Sequence, residues 1–221
     1  MGTEFGFIFD WDGVVVDSSR QHELSWDRLA EVEELALYPG HFKDGFGKKN
    51  SFIIPNLLKW TDDPQEIERL SLRKEEFYRE IVAETGLSPL PGVASFLKEL
   101  KAAGFRACVG SSTPRRNIDA VTSLIGLEGR FDDVVSADDV GNGKPDPEVF
   151  LKAAAKIGVE PSRCVVFEDS FSGIEAGQRA GMKVVGLATT NPIESLREHG
   201  VSLAASSFEE LNLQVVHDLF A

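Results

Sequence analysis

The sequence predicts an α/β fold: a parallel sheet with helices on both faces, interrupted once by an inserted helical subdomain. Three observations carry that reading. Short runs rich in β-branched and aromatic residues are apolar at successive positions, as strands covered on both faces are. Helix-period segments alternate with these runs, the pattern of a sheet built from strand–helix–strand units. One stretch, residues 19–86, contains helical patterns and no good strand.

The elements follow in order. The first strand is read at Phe5–Phe9, and the strand-free insertion begins soon after it. Within the insertion, helical patterns cover Gln21–Leu37, Phe52–Lys59 and Pro64–Glu84, and the glycine-rich Tyr38–Asn50 reads as a loop. The turn-forming Leu87–Gly92 (LSPLPG) closes it. Helix Val93–Ala103, strand Phe105–Val109, helix Arg115–Ile125 and a short strand candidate at Val134–Val135 come next. Helix Glu148–Lys156, strand Cys164–Phe167, helix Gly173–Ala180 and strand Lys183–Leu187 complete the alternation. Gly104, Gly126, Gly158 and Gly181 stand at helix ends, where a left-handed cap needs glycine. The expected organisation is a Rossmann-like core of residues 1–17 and 87–221 with a helical cap at 18–86.

Composition excludes several functions. With 36 acidic residues against 23 basic ones in 221, the formal charge is −13, unsuited to holding nucleic acid or an anionic membrane by bulk electrostatics. A hydrophobic content of 42% is enough for a real core and excludes global disorder. The longest apolar runs are too short to span a bilayer. The N-terminal MGTEFGFIFD lacks the basic region and long apolar stretch of a signal peptide, so a cytoplasmic protein is expected. Cys108 and Cys164 make no metal spacing and sit in apolar runs, which reads as reduced, buried thiols. A monomer is expected, with a dimer as the alternative.

The polar residues fall at strand ends. Phe7-Ile8-Phe9 runs into Asp10-Trp11-Asp12-Gly13, Cys108-Val109-Gly110 into Ser111-Ser112-Thr113, and Val165-Val166-Phe167 into Glu168-Asp169-Ser170. Ligands of open parallel sheets bind beyond the carboxyl ends of the strands, so these clusters should converge. Asp10, Asp12, Glu168 and Asp169 brought together would repel one another without a hard cation, and an oxygen-only set favours Mg²⁺ over zinc. Lys144, in the proline-rich GKPDP turn, adds an ammonium, and Ser111 adds a hydroxyl near the start of the Pro114 helix. A cation, an ammonium, a hydroxyl and a helix N-terminus together describe a phosphoryl site. Singly, each motif reads as a helix cap or a solvated charge; the combination carries the inference. No phosphate-binding GxxxxGK[ST], GxSxG elbow or HExxH motif is present, and the four histidines are too scattered to form a metal cluster.

In this arrangement the chain resembles the haloacid dehalogenase-like hydrolase superfamily over nearly its whole length. FDWDGVVVDS is similar to that family's first motif, GSS to its second, the lysine of GKPDPEVF to its third and FEDSFSGIEAG to its fourth, in the same order. The insertion falls where subfamily I carries its helical cap, and the pattern is closest to the capped phosphatases grouped with β-phosphoglucomutase. The resemblance implies that Asp10 is the nucleophile and forms an aspartyl-phosphate, with Asp12 as general acid and base. It implies that Ser111, Ser112 and Lys144 hold the phosphoryl oxygens. Mg²⁺ would bind Asp10, the carbonyl of Asp12 and Asp169, with Glu168 in or near the same shell. Ser18 matches a hinge position. In the cap, His22 and Trp26 match residues of phosphoglucomutase-like members, Lys48 stands where they place a phosphate-binding arginine, and Lys74 matches another basic residue. A lysine at 48 is a point charge and not a bidentate fork.

The expected function is therefore a Mg²⁺-dependent phosphatase of a small phosphorylated metabolite, a sugar phosphate among the candidates, with no nucleic-acid or membrane partner. A phosphohexomutase uses the same aspartyl-phosphate and returns the phosphoryl group to a sugar. A phospho-aspartate signalling domain also pairs carboxylates with Mg²⁺, a hydroxyl and a lysine, but the length, the second aspartate and the cap oppose it.

Overall fold

The strands are β1 (Gly6–Phe9), β2 (Arg106–Gly110), β3 (Asp133–Val135), β4 (Cys164–Glu168), β5 (Lys183–Leu187) and β6 (Leu203–Ala205). In the computed structural model they form one parallel sheet in the order β3-β2-β1-β4-β5-β6. Residues 5–45 and 47–220 are described; the first four residues of the N-terminal stretch and Phe46 of the glycine-rich loop lie outside them. The helices are α1 (Ser19–Val32), α2 (His41–Gly45), α3 (Asn50–Phe52), α4 (Pro64–Thr85), α5 (Val93–Ala102) and α6 (Arg115–Leu124). After them come α7 (Glu148–Ile157), α8 (Phe171–Arg179), α9 (Ile193–Glu198) and α10 (Leu213–His217).

Alternation along the central strands sorts the core into two layers. Phe7, Phe9, Val109 and Phe167 face one layer with Phe96 and Leu100 of α5. Ile8, Cys108 and Val166 face the other with Phe150 and Ala153 of α7. Strands buried on both sides therefore read as continuous apolar runs. The aromatic layer is close-knit: the Phe9 and Phe167 rings stack at 4.7 Å, and Phe208 lies 5.0 Å from Phe167.

The helices from α1 to α4 enclose a third apolar cluster of their own, with Trp26, Leu29, Ile54, Leu70 and Phe77. Tyr78 and Val82 of α4 instead join the aromatic layer of the sheet, and so form the seam between the two bodies. Both cysteines are buried and free. Among the described residues no helix is long and apolar enough to cross a membrane.

Five strands fall where the sequence predicts them, within a residue or so. The sixth, β6, is alanine-rich and only partly buried at the sheet edge, and its short Leu-Ala-Ala run has no β-branched or aromatic residue to mark it as a strand. The expected loop Tyr38–Asn50 contains the short helix α2. Helix α1 stops at Val32 instead of Leu37, and the chain reverses through Glu34 at a φ of 54°. The pattern at Phe52–Lys59 resolves into α3 followed by a wide π-helical stretch, Ile53–Leu58, which holds Pro55 and ends at left-handed Lys59. Pro55 has no N–H to give to an ordinary helical ladder. The helices α9 and α10, six and five residues long, are too short to show a period.

Candidate active site

The sheet register places the polar strand ends side by side. Phe9 of β1 lies opposite Val109 of β2 and Phe167 of β4, so Asp10, Ser111 and Glu168 gather at one edge. Strand order reverses its direction of travel at β1, the position where open α/β sheets bind ligands.

At this edge Lys144 is nearly buried, with its Nζ 2.7 Å from Asp10 Oδ1 and 2.7 Å from Glu168 Oε1. Burial alone would discharge it, but the two carboxylates outweigh that and hold its pKa above the ordinary lysine value. The other Glu168 oxygen accepts from the backbone N–H groups of Asp169 and Ser170, both at 2.8 Å, and from the Ser170 hydroxyl. Glu168 is thus saturated and completely inaccessible, a group that fixes Lys144 and the start of α8. Two glycines permit this crowding. A Cβ on Gly173 would strike the Glu168 carboxylate, and one on Gly13, whose φ is +80°, would strike Asp169.

Asp10, Glu168 and Asp169 each offer an oxygen within 4.8 Å of the others. Burial lifts the Asp10 carboxyl to about 7, with Lys144 lowering it and Glu168 raising it again. Asp169 is pushed well above the ordinary range by burial and by the Glu168 and Asp10 charges. Asp10 Oδ1 touches Lys144 as an ion pair yet accepts no well-aligned hydrogen bond. Buried carboxylates that oppose one another's ionisation, with oxygen as the only ligand type among them, fit a hard divalent cation.

Asp12 has a different environment. Its two oxygens accept from the hydroxyls of Ser18 and Thr113, and His22 Nε2 lies 3.5 Å from Oδ1. Burial opposes ionisation here too, but His22 and the two hydroxyls outweigh it and hold the carboxyl at about 2. Its side chain does not join the three-carboxylate cluster.

A cavity of about 850 Å³ lies between this edge and the helical insertion. Asp10, Asp12, Ser111, Ser112, Lys144 and Asp169 line it from the core; His22, Lys48 and Lys74 line it from the insertion. Glu168 sits behind the wall. The insertion residues differ in availability. His22 stacks on Tyr78 at 4.0 Å, and Lys74, only 2% exposed, reaches His22 Nδ1 at 2.7 Å and Glu75 Oε1 at 3.0 Å. Trp26 is packed in the insertion's apolar cluster, beneath the Lys74 ammonium. Lys48 is exposed; its Nζ donates to the Asp44 carbonyl at 2.8 Å and lies over the Phe52 ring.

Sequence reasoning missed several residues. Thr113 sits inside the second motif but was not singled out as a partner of Asp12. The loop after β5 buttresses the acidic cluster: Thr190 donates to Asp169, Thr189 to the Gly13 carbonyl, and Asn191 to the Asp169 carbonyl. The same strand-end rule finds it, since KVVGL runs into Ala188-Thr189-Thr190-Asn191. Lys49, which donates to the Val140 carbonyl across the cavity mouth, and Glu75 have no local signal at all.

Comparison with known proteins agrees with the geometry. A family model described as haloacid dehalogenase-like hydrolase matches residues 6–181. The chain is 32% identical to the chloroplastic 5-amino-6-(5-phospho-D-ribitylamino)uracil phosphatase of Arabidopsis thaliana, over 94% of this chain and 56% of that protein, so it spans little more than half of the plant enzyme. It is 31% identical to the phosphorylated carbohydrates phosphatase of Thermotoga maritima, over 93% of this chain and 96% of that one. The crystal structure of β-phosphoglucomutase from Clostridium difficile superposes with a TM-score of 0.85 at 26% identity, covering 99% of this chain and 97% of the other.

Proposed function

The chain belongs to the haloacid dehalogenase-like hydrolases, and from that membership we propose that it is a Mg²⁺-dependent phosphatase of a small phosphorylated metabolite, with sugar phosphates as the substrate class. In this reading residues 1–17 and 87–221 are the catalytic core, and residues 18–86 are the cap that chooses the substrate. The two phosphatases it is similar to act, by name, on phosphorylated carbohydrates and on a phospho-D-ribitylamino compound, which supports a sugar-like phosphate.

One observation carries the proposal: two aspartates two residues apart, at the floor of one cavity, have opposite environments. Asp10 faces Lys144 and the carboxylate cluster, whereas Asp12 faces hydroxyls and an imidazole. That separation suits a nucleophile beside a proton carrier. Asp10 attacks phosphorus as the bond to the leaving oxygen breaks, and Asp12 gives that oxygen a proton. Asp12 then takes a proton from water as the water oxygen attacks the aspartyl-phosphate, freeing orthophosphate and the Asp10 carboxylate. Lys144 and the Ser111 hydroxyl hold the non-bridging oxygens, with Ser112 beside them. Facing two hydroxyl donors and His22 Nε2, Asp12 is a base in the free protein. An arriving phosphoryl dianion opposes its ionisation and makes it an acid. Asp10, Asp169 and the Asp12 carbonyl would hold Mg²⁺, which would supply positive charge for the transferring oxygens.

The test is phosphate release across a panel of phosphorylated metabolites with Mg²⁺ present. Turnover of one or more sugar phosphates is the expected result, and no release from any of them overturns the reading. A phosphohexomutase is the second reading, favoured by the superposition on β-phosphoglucomutase. A coupled assay on β-glucose 1-phosphate separates the two: glucose 6-phosphate formed without orthophosphate decides for the mutase.

A further inference from the structure

Glu75 is a buried carboxylate, 7% exposed, on the face of α4 that meets the core. Its Oε1 accepts from Lys74 Nζ at 3.0 Å and from Asn50 Nδ2 at 2.7 Å, both within the insertion. Its Oε2 accepts from the Asn117 side chain, fully buried on α6 of the core. Asn117 Oδ1 in turn accepts from Arg79 Nη1 at 2.8 Å, back in the insertion. One carboxylate is therefore bonded on both sides of the seam. Burial pushes its pKa up, but Lys74, His22 and the Asn50 amide more than offset this and leave it below the ordinary glutamate value.

The far side of Lys74 leads to the site. Its Nζ lies 2.7 Å from His22 Nδ1. An ammonium has only hydrogens to offer, so Nδ1 accepts and the ring hydrogen is on Nε2, which faces Asp12 Oδ1 at 3.5 Å. The polar chain Asn117–Glu75–Lys74–His22–Asp12 thus leaves the core, crosses the insertion and returns to the core. It is continuous only while the two bodies are in contact. Without Glu75, Lys74 would be a buried ammonium with no carboxylate bonded to it, a costly state relieved by moving or discharging the lysine. Either change frees the imidazole.

We propose that Glu75 is a positioning residue for Asp12: bonded to Asn117 across the seam, it holds Lys74 against His22 and so keeps the imidazole in the tautomer that presents Nε2–H to Asp12. The link to turnover rests on the reading of Asp12 as the proton donor to the leaving oxygen. Such a donor matters for a basic alkoxide leaving group and little for an activated aryl oxide.

Two measurements on the full chain test it, with Glu75→Gln and Asn117→Ala as variants. In ¹⁵N NMR of the histidines, wild-type His22 should show a protonated Nε2 and an unprotonated Nδ1. Both variants should lose that pattern while keeping the circular dichroism spectrum of the wild type. A different tautomer in the wild type, or an unchanged one in both variants, overturns the proposal whether or not the protein proves to be a phosphatase. In turnover with Mg²⁺, kcat on an alkyl phosphate hydrolysed by the wild type should fall by roughly 10- to 100-fold, against less than about threefold on 2,4-dinitrophenyl phosphate. Equal losses on both would mark a merely structural role and also overturn it. A wild type that releases phosphate from neither substrate removes the phosphatase reading, and the NMR result still decides the positioning role.

Discussion

The core edge and the helical insertion build their halves of the cavity in different ways. Every core residue at the site stands at or just beyond a strand, or in the turn before α7, so the backbone ladder fixes where it goes. Asp10 N–H donates to the Phe167 carbonyl at 3.0 Å, and Ser111 N–H to the Val135 carbonyl at 3.0 Å. The insertion residues stand on helices α1 and α4, outside the sheet. His22, Lys74 and Glu75 are placed by one another and by Asn117, through side chains far apart in sequence. On the proposed reading the core would hold one invariant group, a phosphoryl with its cation, and the insertion would vary what surrounds it.

The sharpest way to break that division is at Asp10, the proposed nucleophile. Asp10→Asn, nearly isosteric, should lower turnover by roughly 10⁴-fold or more while leaving thermal stability equal to or above that of wild type. Its stability need not fall, because the amide no longer adds charge to a crowded cluster. Steady-state rates and melting curves read both effects; substantial residual turnover would show that another group attacks. Chelation of divalent cations should silence the wild type likewise, and Mg²⁺ should restore it.

Lys144→Ala attacks the core's electrostatics. It strips the fully buried Glu168 of its cation partner, and loss of one member of such a pair costs about 3–5 kcal/mol. Chemical denaturation should detect it, and no change would mean that the ion pair is not structural. On the insertion side, Lys48→Ala should raise KM for a phosphorylated sugar by about tenfold, roughly 1.4 kcal/mol, and hardly alter kinetics on an aryl phosphate. Equal effects on both substrates would remove Lys48 from substrate choice.

The smallest effect sharpens how the Lys144 turn is held. Glu148 accepts from Lys152 and from the backbone N–H groups of Asn142 and Gly141, which lower its carboxyl to about 2. A depressed folded-state pKa contributes stability above the unfolded value of 4.5 and loses it as pH falls toward 2. Glu148→Gln should flatten the melting-temperature profile between those two values and leave the neutral end slightly lower. A profile of unchanged shape would show that the cap bonds do not depend on charge.

The same contrast explains what was legible in the sequence. Strand ends announce themselves, because an apolar run broken by Asp, Ser or Glu is a local pattern; three such breaks locate Asp10, Ser111 and Asp169, and the proline-flanked GKPDP turn locates Lys144. Thr190 obeys the same rule at the end of β5, where KVVGL gives way to Ala188-Thr189-Thr190. Glu75 and Asn117 are 42 positions apart, and nothing near either residue points to the other. Asp12 lies between these cases: its position was legible, but the Thr113, Ser18 and His22 partners that separate it from Asp10 belong to the tertiary structure. Edge strand β6 and the π-helical turn after α3 were lost for a similar reason, since burial and a proline-bearing ladder are not periodic signals.

The central place of β1 also governs the order of assembly. Gly6 pairs with Arg106 on one side and with Cys164 on the other, so the first strand of the chain waits for partners about a hundred and about a hundred and sixty positions later. On a ribosome the helices of the insertion emerge and can collapse before β2 and β4 exist, while the four residues of β1 stay unpaired ahead of them. Asp10 and Asp169 meet only when β4 docks. The carboxylate pocket is therefore among the last features the chain completes during synthesis.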